Sequence, residues 1–345
     1  MEAPRVCIVL LTGVGDVVHG LPVANAIRRA WPKAHITWVA EPAPSYIVRP
    51  HEAVDDVVVY YKSQGLAGVR TLWRDLRRHE FDITLNLNVY TKSVWPTLFS
   101  GASRRIGFDK HRSFEGVWLA SNEHLPSRPR AHTQDMFLEF VEKLGVRTDP
   151  IEWRITFTED EQRAQAAFFE PLRDRPVVSV VPASANAKKD WPAAYNAELV
   201  DALHADFGFR VLLTGGPGER ETALAREIGE RASHKPVWAM GDGVRRMMWT
   251  IAGSDLVIAP DTGPVHIARA CDVPVVGLYG HTNPWRVGPW RRFEDLWIDH
   301  YTEPGEAPDP SNAAPKLGRM ETITVREVLE SVERAVDVYR AGKRE

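Results

Sequence analysis

Short apolar runs, each closed by a glycine or polar loop and followed by an amphipathic segment, set the rhythm of this chain. Val6–Leu11 is such a run, bounded by Thr12-Gly13-Val14-Gly15. Continuous apolarity without alternation predicts a strand buried on both faces, as in a parallel sheet. Residues 22–30 carry apolar groups at helical spacing and open on Pro22, which suits a first helical turn. His35–Val39, Val54–Tyr60 and Asp82–Leu87 read as further strands, with helices over 67–79 and from Lys92 to Phe99. Residues 104–130 read as an irregular basic stretch, and 132–144 as an amphipathic helix stopped by Gly145.

The second half repeats this grammar. Strands are predicted at Pro176–Val181, Phe209–Thr214, Leu256–Ala259 and Val273–Tyr279. Helices are predicted at Pro192–Phe207, 219–231, Arg245–Gly253 and Pro264–Ala270, with a loop over 303–318 and a closing helix over 324–340. Strands alternating with helices imply parallel α/β sheets, and two such sets imply two domains. We place them at 1–160 and 161–345, with the linker within 148–175 and the closing helix able to return to the first domain.

Composition narrows the function classes. The chain has 345 residues, of which 44% are hydrophobic and 26% charged, as in ordinary globular proteins. A net charge of -3 argues against general nucleic-acid binding, which needs a basic surface. Cys7 and Cys271 read as small buried hydrophobes rather than a disulfide or metal pair, consistent with a reducing, cytoplasmic setting. No apolar run reaches the length of a membrane span, and no long leader precedes the first strand. Arg70, Arg74, Arg77 and Arg78 share a helix face, which allows contact with anionic lipid headgroups.

Four loops carry candidate chemistry, each at the carboxyl end of a predicted strand, where open α/β sheets bind ligands. The first, residues 13–22, places Gly15, the carboxylate of Asp16 and the imidazole of His19 after the first strand. It lacks the third glycine of a dinucleotide fingerprint and the lysine of a P-loop. Asp16 serves there either as a helix cap or as a base. The second, residues 184–192, offers Ser184, Lys188 and Lys189, either as a solvated loop or as cations for a diphosphate. The third, residues 215–219, ends in Glu219, either a dipole-favoured first-turn acid or a partner for ribose hydroxyls. The fourth, Asp261-Thr262-Gly263-Pro264-Val265-His266, turns an apolar strand into a helix start, whose N–H groups form an anion site. Thr262 adds a hydroxyl there, and His266 can oppose charge on a leaving phosphate. The basic stretch containing Arg112 reads equally as a solvated face or a receiver of an anionic acceptor. No D-x-D, H-E-x-x-H, C-x-x-C or G-x-S-x-G occurs, so no metal is predicted and no serine hydrolase elbow is supported.

The segments GDVVHGLP at 15–22, KDWP at 189–192, GGPGE at 215–219 and DTGPVHIA at 261–268 together resemble the lipopolysaccharide core heptosyltransferases, glycosyltransferase family 9. ITWVAE at 36–41 and TLNLNVYTKS at 84–93 are similar too, and the resemblance spans roughly residues 5–290. It implies a GT-B fold: two Rossmann-like domains facing each other across a cleft, the first binding acceptor and the second nucleotide-sugar. It implies an inverting transfer of heptose from ADP-heptose to the Kdo region of lipopolysaccharide, with no cofactor beyond the donor substrate. By resemblance Asp16, Lys189 and His266 are catalytic. Ser184, Lys189, Glu219, Met240, Asp261, Thr262, Gly263 and His266 bind donor, and Gly15, His19, Lys92 and Arg112 bind acceptor. The implied partners are a nucleotide-sugar and a lipid-linked saccharide, at the cytoplasmic face of the inner membrane. The family pattern departs at Arg269, which interrupts an alanine run, leaving the sugar and acceptor open. Other readings are a GT-B transferase for another nucleotide-sugar or acceptor, a GT-B sugar epimerase, and a non-catalytic nucleotide- or carbohydrate-binding module.

Overall fold

The computed structural model describes residues 3–342, which divide into two compact units, 1–156 and 157–345 by chain position. In the first unit, β1 (Arg5–Val9) leads into α1 (Val14–Ala30), then β2 (His35–Ala40), α2 (Pro42–Val48), β3 (Asp56–Val59) and α3 (Leu66–Leu76). β4 (Ile83–Asn86), α4 (Val94–Phe99), β5 (Arg104–Gly107), β6 (Glu123–His124) and α5 (Thr133–Lys143) complete it. The second unit runs α6 (Glu159–Phe169), β7 (Val177–Val180), α7 (Ala193–Ala205), β8 (Arg210–Gly215), α8 (Glu219–Arg231), β9 (Val237–Met240) and α9 (Gly243–Ala252). It continues through β10 (Leu256–Pro260), α10 (Gly263–Ala270), β11 (Val275–Tyr279), α11 (Pro284–Val287), β12 (Ile298–Asp299) and α12 (Val325–Val338).

Each unit holds one six-stranded, all-parallel sheet, ordered β3-β2-β1-β4-β5-β6 in the first and β12-β11-β10-β7-β8-β9 in the second. Counted from the first strand of each unit, both orders are the same doubly wound arrangement. Strand order reverses between β1 and β4 in one sheet and between β7 and β10 in the other. Such switch points are where doubly wound sheets open a crevice for ligand. The central strands are buried on both faces, which accounts for their unbroken apolar runs.

The structure corrects several boundaries. α1 begins at Val14, eight residues before Pro22, and carries that proline inside it, buried. Pro22 therefore forfeits one helical hydrogen bond; burial of the helix face supplies the compensation that a surface helix would lack. The glycines of this segment are not a loop. Gly20 sits in mid-helix, where an added Cβ would lie 2.7 Å from the Trp38 ring of β2, so glycine lets helix and sheet approach.

Within the stretch read as irregular, β5 and β6 pair in parallel, joined by Arg104 to Glu123 at 2.7 Å. Their charged residues masked the strand pattern, as expected of short strands at a sheet margin. α6 lies inside the segment expected to be linker; its polar sequence is started by a capping box in which Thr158 and Glu161 satisfy each other's backbone N–H. α2 and β9 were also not legible. α12 packs on α7 and β11, and the Trp191 indole donates to the Ile323 carbonyl at 3.0 Å just before that helix.

Candidate functional site

In the second unit the chemistry gathers at the switch point. β7 delivers the loop holding Ser184–Asp190, and β10 delivers Asp261. Lys189 Nζ donates to Asp261 Oδ2 at 2.6 Å and to the Asp261 carbonyl at 3.4 Å. Asp261 is buried at 7% exposure, and His266 Nε2 lies 3.9 Å from its other carboxylate oxygen. Thr262 is the N-cap of α10 in extended conformation, and its hydroxyl makes no capping bond. Gly263 and Pro264 form the first turn, so the positive end of the helix opens beside Lys189.

This geometry is that of a candidate anion site with its charge held in check. Lys189 is paired with Asp261, so an anion at the start of α10 would share that ammonium rather than meet an isolated cation. His266, one turn into α10 and buried, stands behind the same carboxylate. Ser184 is committed to its own loop: its hydroxyl donates to the Asn186 carbonyl at 2.8 Å and accepts from the Asn186 N–H at 3.1 Å.

Two residues that sequence reasoning passed over shape this loop. Arg220, on the first turn of α8, donates to the Ser184 carbonyl and to Asp190 Oδ2. Asp190 also accepts from the Ser184 N–H at 2.9 Å, and burial raises its carboxyl above the usual range. Glu221, not Glu219, engages the glycine loop, accepting from the Gly216 N–H at 3.1 Å. Glu219 is exposed at the start of α8. The run Glu219-Arg220-Glu221 advertised charge, but only helical register decides which member turns inward. Met240 closes β9 and packs on Gly215, where an added Cβ would meet its Cε at 2.8 Å; it is 4% exposed.

The first unit builds a second constellation at its own switch point. Gly13 caps α1 with φ 84°, a left-handed conformation that glycine adopts without strain. An added Cβ on Gly13 would lie 2.5 Å from Asp16 Oδ2, so the Asp16 carboxylate folds back over the cap. Asp16 is exposed in the first turn of α1, while Gly15 is buried beside it. Across the switch point, Lys92 follows β4 and is half-buried. Burial pulls its ammonium below the usual lysine range, opposed by the fields of Glu41, after β2, and of Asp16. Glu41 ends the ITWVAE segment, where a single acid after an apolar strand carries no chemical signal of its own.

Two residues that the resemblance assigns to the acceptor are buried among partners of their own. Arg112 is 2% exposed, with Nε donating to Asp109 at 2.6 Å, Nη1 to Glu139 at 2.7 Å and Nη2 to the Pro126 carbonyl at 2.9 Å. Its guanidinium also stacks over Phe108. A buried cation needs this many acceptors, so it pins the 108–126 segment to α5 instead of facing a ligand. His19 is 3% exposed and sits between α1 and α5, its Nδ1 3.1 Å from Gln134 Oε1 and its carbonyl accepting from Gln134 Nε2 at 2.9 Å. It orients α1, and hence Asp16, from beneath. Cys7 and Cys271 are free thiols, both pushed up to about 12 by burial.

A doubly wound pair of parallel-sheet units with anion and carboxylate chemistry at their switch points is the architecture of GT-B glycosyltransferases. A family model described as glycosyltransferase family 9 (heptosyltransferase) matches residues 69–304. The lipopolysaccharide core heptosyltransferase OpsX of Haemophilus influenzae is 30% identical over 297 residues, covering 86% of this chain and 84% of that protein. Among solved structures, a family 9 glycosyl transferase from Veillonella parvula superposes with TM-score 0.80 at 22% identity, covering 97% of each chain. E. coli heptosyltransferase WaaC with ADP superposes with TM-score 0.72 at 21% identity, covering 96% of this chain and 98% of that one. The chain belongs to glycosyltransferase family 9, the heptosyltransferases.

Proposed function

We propose that the chain is an inverting transferase that moves a heptose from ADP-heptose to the Kdo region of the lipopolysaccharide inner core. The single observation that carries the reading is the convergence of Lys189, Asp261 and His266 on the first turn of α10, at the switch point of the second sheet. There a nucleoside diphosphate would find a cation and helix N–H groups together. The relatives are named for heptose transfer to lipopolysaccharide, and one was solved with ADP.

In this mechanism the second unit holds ADP, with Lys189 and the start of α10 on the diphosphate and Glu219 and Met240 toward the nucleoside. Asp16 takes the proton from the acceptor hydroxyl. The oxygen so freed bonds to the anomeric carbon as the bond from that carbon to the diphosphate breaks on the opposite face. ADP leaves with the bonding electron pair, and the centre inverts. Lys189, the α10 N-terminus and His266 oppose the charge that builds on the departing oxygen. Lys92, whose ammonium feels the fields of Glu41 and Asp16, meets an anionic acceptor sugar. The chain works at the cytoplasmic face of the inner membrane, where a lipid-linked acceptor is presented.

The test compares Asp16→Asn with the wild-type chain in a transfer assay using ADP-heptose and a Kdo-bearing lipid A acceptor, with UDP- and GDP-sugars as competing donors. Loss of turnover with ADP affinity retained supports the assignment. Turnover by D16N at the wild-type rate refutes Asp16 as base. Preference for another nucleotide-sugar refutes the donor, and ligand binding without product in the wild type refutes catalysis altogether.

A further inference from the structure

Large apolar side chains are spread unevenly over the surface. Of the exposed ones among the described residues, Tyr46, Tyr61, Leu66, Trp73, Tyr90, Trp95, Leu98, Phe114 and Leu119 belong to the first unit, and only Trp238, Leu317 and Val338 to the second. Five of the first set lie on three adjoining elements: α3, α4 packed against it, and the turn Val117–Ala120 packed against α4.

α3 has two faces. Gly68, Leu72 and Leu76 are buried, and Leu72 and Leu76 join the core cluster of Val9, Val39 and Val58. The opposite face carries Leu66 at 88% exposure, Arg70, Trp73 at 47%, Arg74 and Arg77. Their spacing of three and four residues keeps them on one side of the helix. Arg77 leans toward the end of α4, its Nη1 3.8 Å from the Cβ position of Gly101. α4 contributes exposed Trp95 and Leu98, with Trp95 stacked on the inward Phe99 at 5.5 Å, and the turn contributes Leu119 at 69% exposure. The only acid on these three elements is Asp75, which is shared between Arg74 at 3.1 Å and Arg78 at 3.8 Å.

Arginine and tryptophan interleaved with leucine, net positive and nearly free of acid, is the composition that settles at the boundary of an anionic bilayer. The indoles and leucines enter the acyl boundary while the guanidinia meet lipid phosphates. Exposed leucines on three separate elements gain nothing from a nucleic-acid backbone, and the chain as a whole is negative at -3. We propose that this α3–α4 face docks the protein on an anionic phospholipid bilayer, with Leu66, Trp73, Trp95, Leu98 and Leu119 inserted and Arg70, Arg74 and Arg77 on the headgroup phosphates. The docking needs neither donor nor acceptor and goes beyond the transfer reading.

The test is co-sedimentation of the full chain with vesicles of phosphatidylcholine alone or mixed with phosphatidylglycerol, free of lipopolysaccharide. The wild type partitions onto the mixed vesicles and hardly onto the neutral ones. R70Q/R74Q/R77Q weakens that partitioning about a hundredfold, roughly fivefold for each cation lost. W73S/W95S weakens it as well, whereas Trp238→Ser, on the second unit, leaves it unchanged. A cooperative thermal melt at the wild-type temperature reports that each variant is folded. Equal partitioning onto both vesicle types, retention by the arginine variant, or an equal effect of W238S overturns the proposal. So does an RNA oligonucleotide that binds the wild type and W73S/W95S equally and displaces it from vesicles. Because no sugar donor is present, failure here leaves the transfer reading standing, and a failed transfer assay leaves docking standing.

Discussion

Replacing Lys189 by alanine separates two roles that its geometry superimposes. Lys189 holds Asp261 at 2.6 Å, with side-chain exposures of 23% and 9% for the two residues. Two unit charges some 4 Å apart attract by roughly 4 kcal/mol at an effective dielectric of about 20, before desolvation is counted. Stranding a fully buried charge costs about 3–5 kcal/mol. Lys189 is partly solvated, so we expect K189A to destabilise the second unit by about 2–3 kcal/mol. A domain of 150–250 residues loses about 2–4 °C per kcal/mol, which places the fall in Tm at about 4–12 °C. A lost charge-assisted contact to the diphosphate costs a further ~1.5–3 kcal/mol of binding, or about 10–150-fold in Kd for ADP. The informative variant is K189A/D261N, which removes the stranded carboxylate along with the cation. Thermal melts should show most of the lost stability restored, with a coupling of about 1–3 kcal/mol between the two positions. Calorimetric titration with ADP should show affinity still low, because the phosphate has lost its cation in both variants. Unchanged ADP affinity in K189A refutes the phosphate role. Recovery of ADP affinity in the double variant refutes it too, since stability alone would then govern binding.

Two further outcomes follow from the first unit. Gly13→Ala puts a methyl group 2.5 Å from the Asp16 carboxylate at a backbone φ of 84°. It should cost about 1–2 kcal/mol of stability and displace Asp16, so kcat should fall while ADP affinity by calorimetry holds; equal losses in both would count against a local role for Gly13. Arg112→Met strands Asp109 and Glu139 in the interior and should destabilise the first unit by about 3–5 kcal/mol, measured by urea unfolding. Burial alone would raise the Asp109 carboxyl, yet hydrogen bonds from Arg112 and from backbone N–H groups hold it below its usual 3.8. A depressed folded-state pKa contributes stability that is complete above about pH 4 and drains away as pH falls through the folded value. The gap between wild type and R112M should therefore narrow in acid, and a gap independent of pH would contradict this account.

Much of the site was legible because its signals are local. An apolar strand, a short turn with Asp, Thr and Gly, and a proline at the helix start specify the β10–α10 junction with no help from the rest of the fold. The same holds for Lys189, because its loop must follow β7. The burial of Arg112 and His19 was not legible for one reason: a charged or imidazole side chain looks the same in sequence whether it meets solvent or a buried partner. The partners are Glu139 and Gln134, which lie 27 and 115 residues away.

The sequence by itself determined that the chain builds two parallel α/β units and which strand ends carry carboxylate, ammonium and helix start. Period and turn chemistry act over a few residues, so they survive without tertiary context. Only the tertiary structure decided that both sheets reverse their order at β1/β4 and β7/β10, so that Asp16 shares a switch point with Lys92 and Lys189 shares one with Asp261. It alone turned Glu221 rather than Glu219 onto the glycine loop, buried Arg112, and left the arginines and indoles of α3 and α4 facing outward. Strand order, helix register and burial depend on which distant segments pack together, and that is set by the core as a whole rather than by any stretch within it.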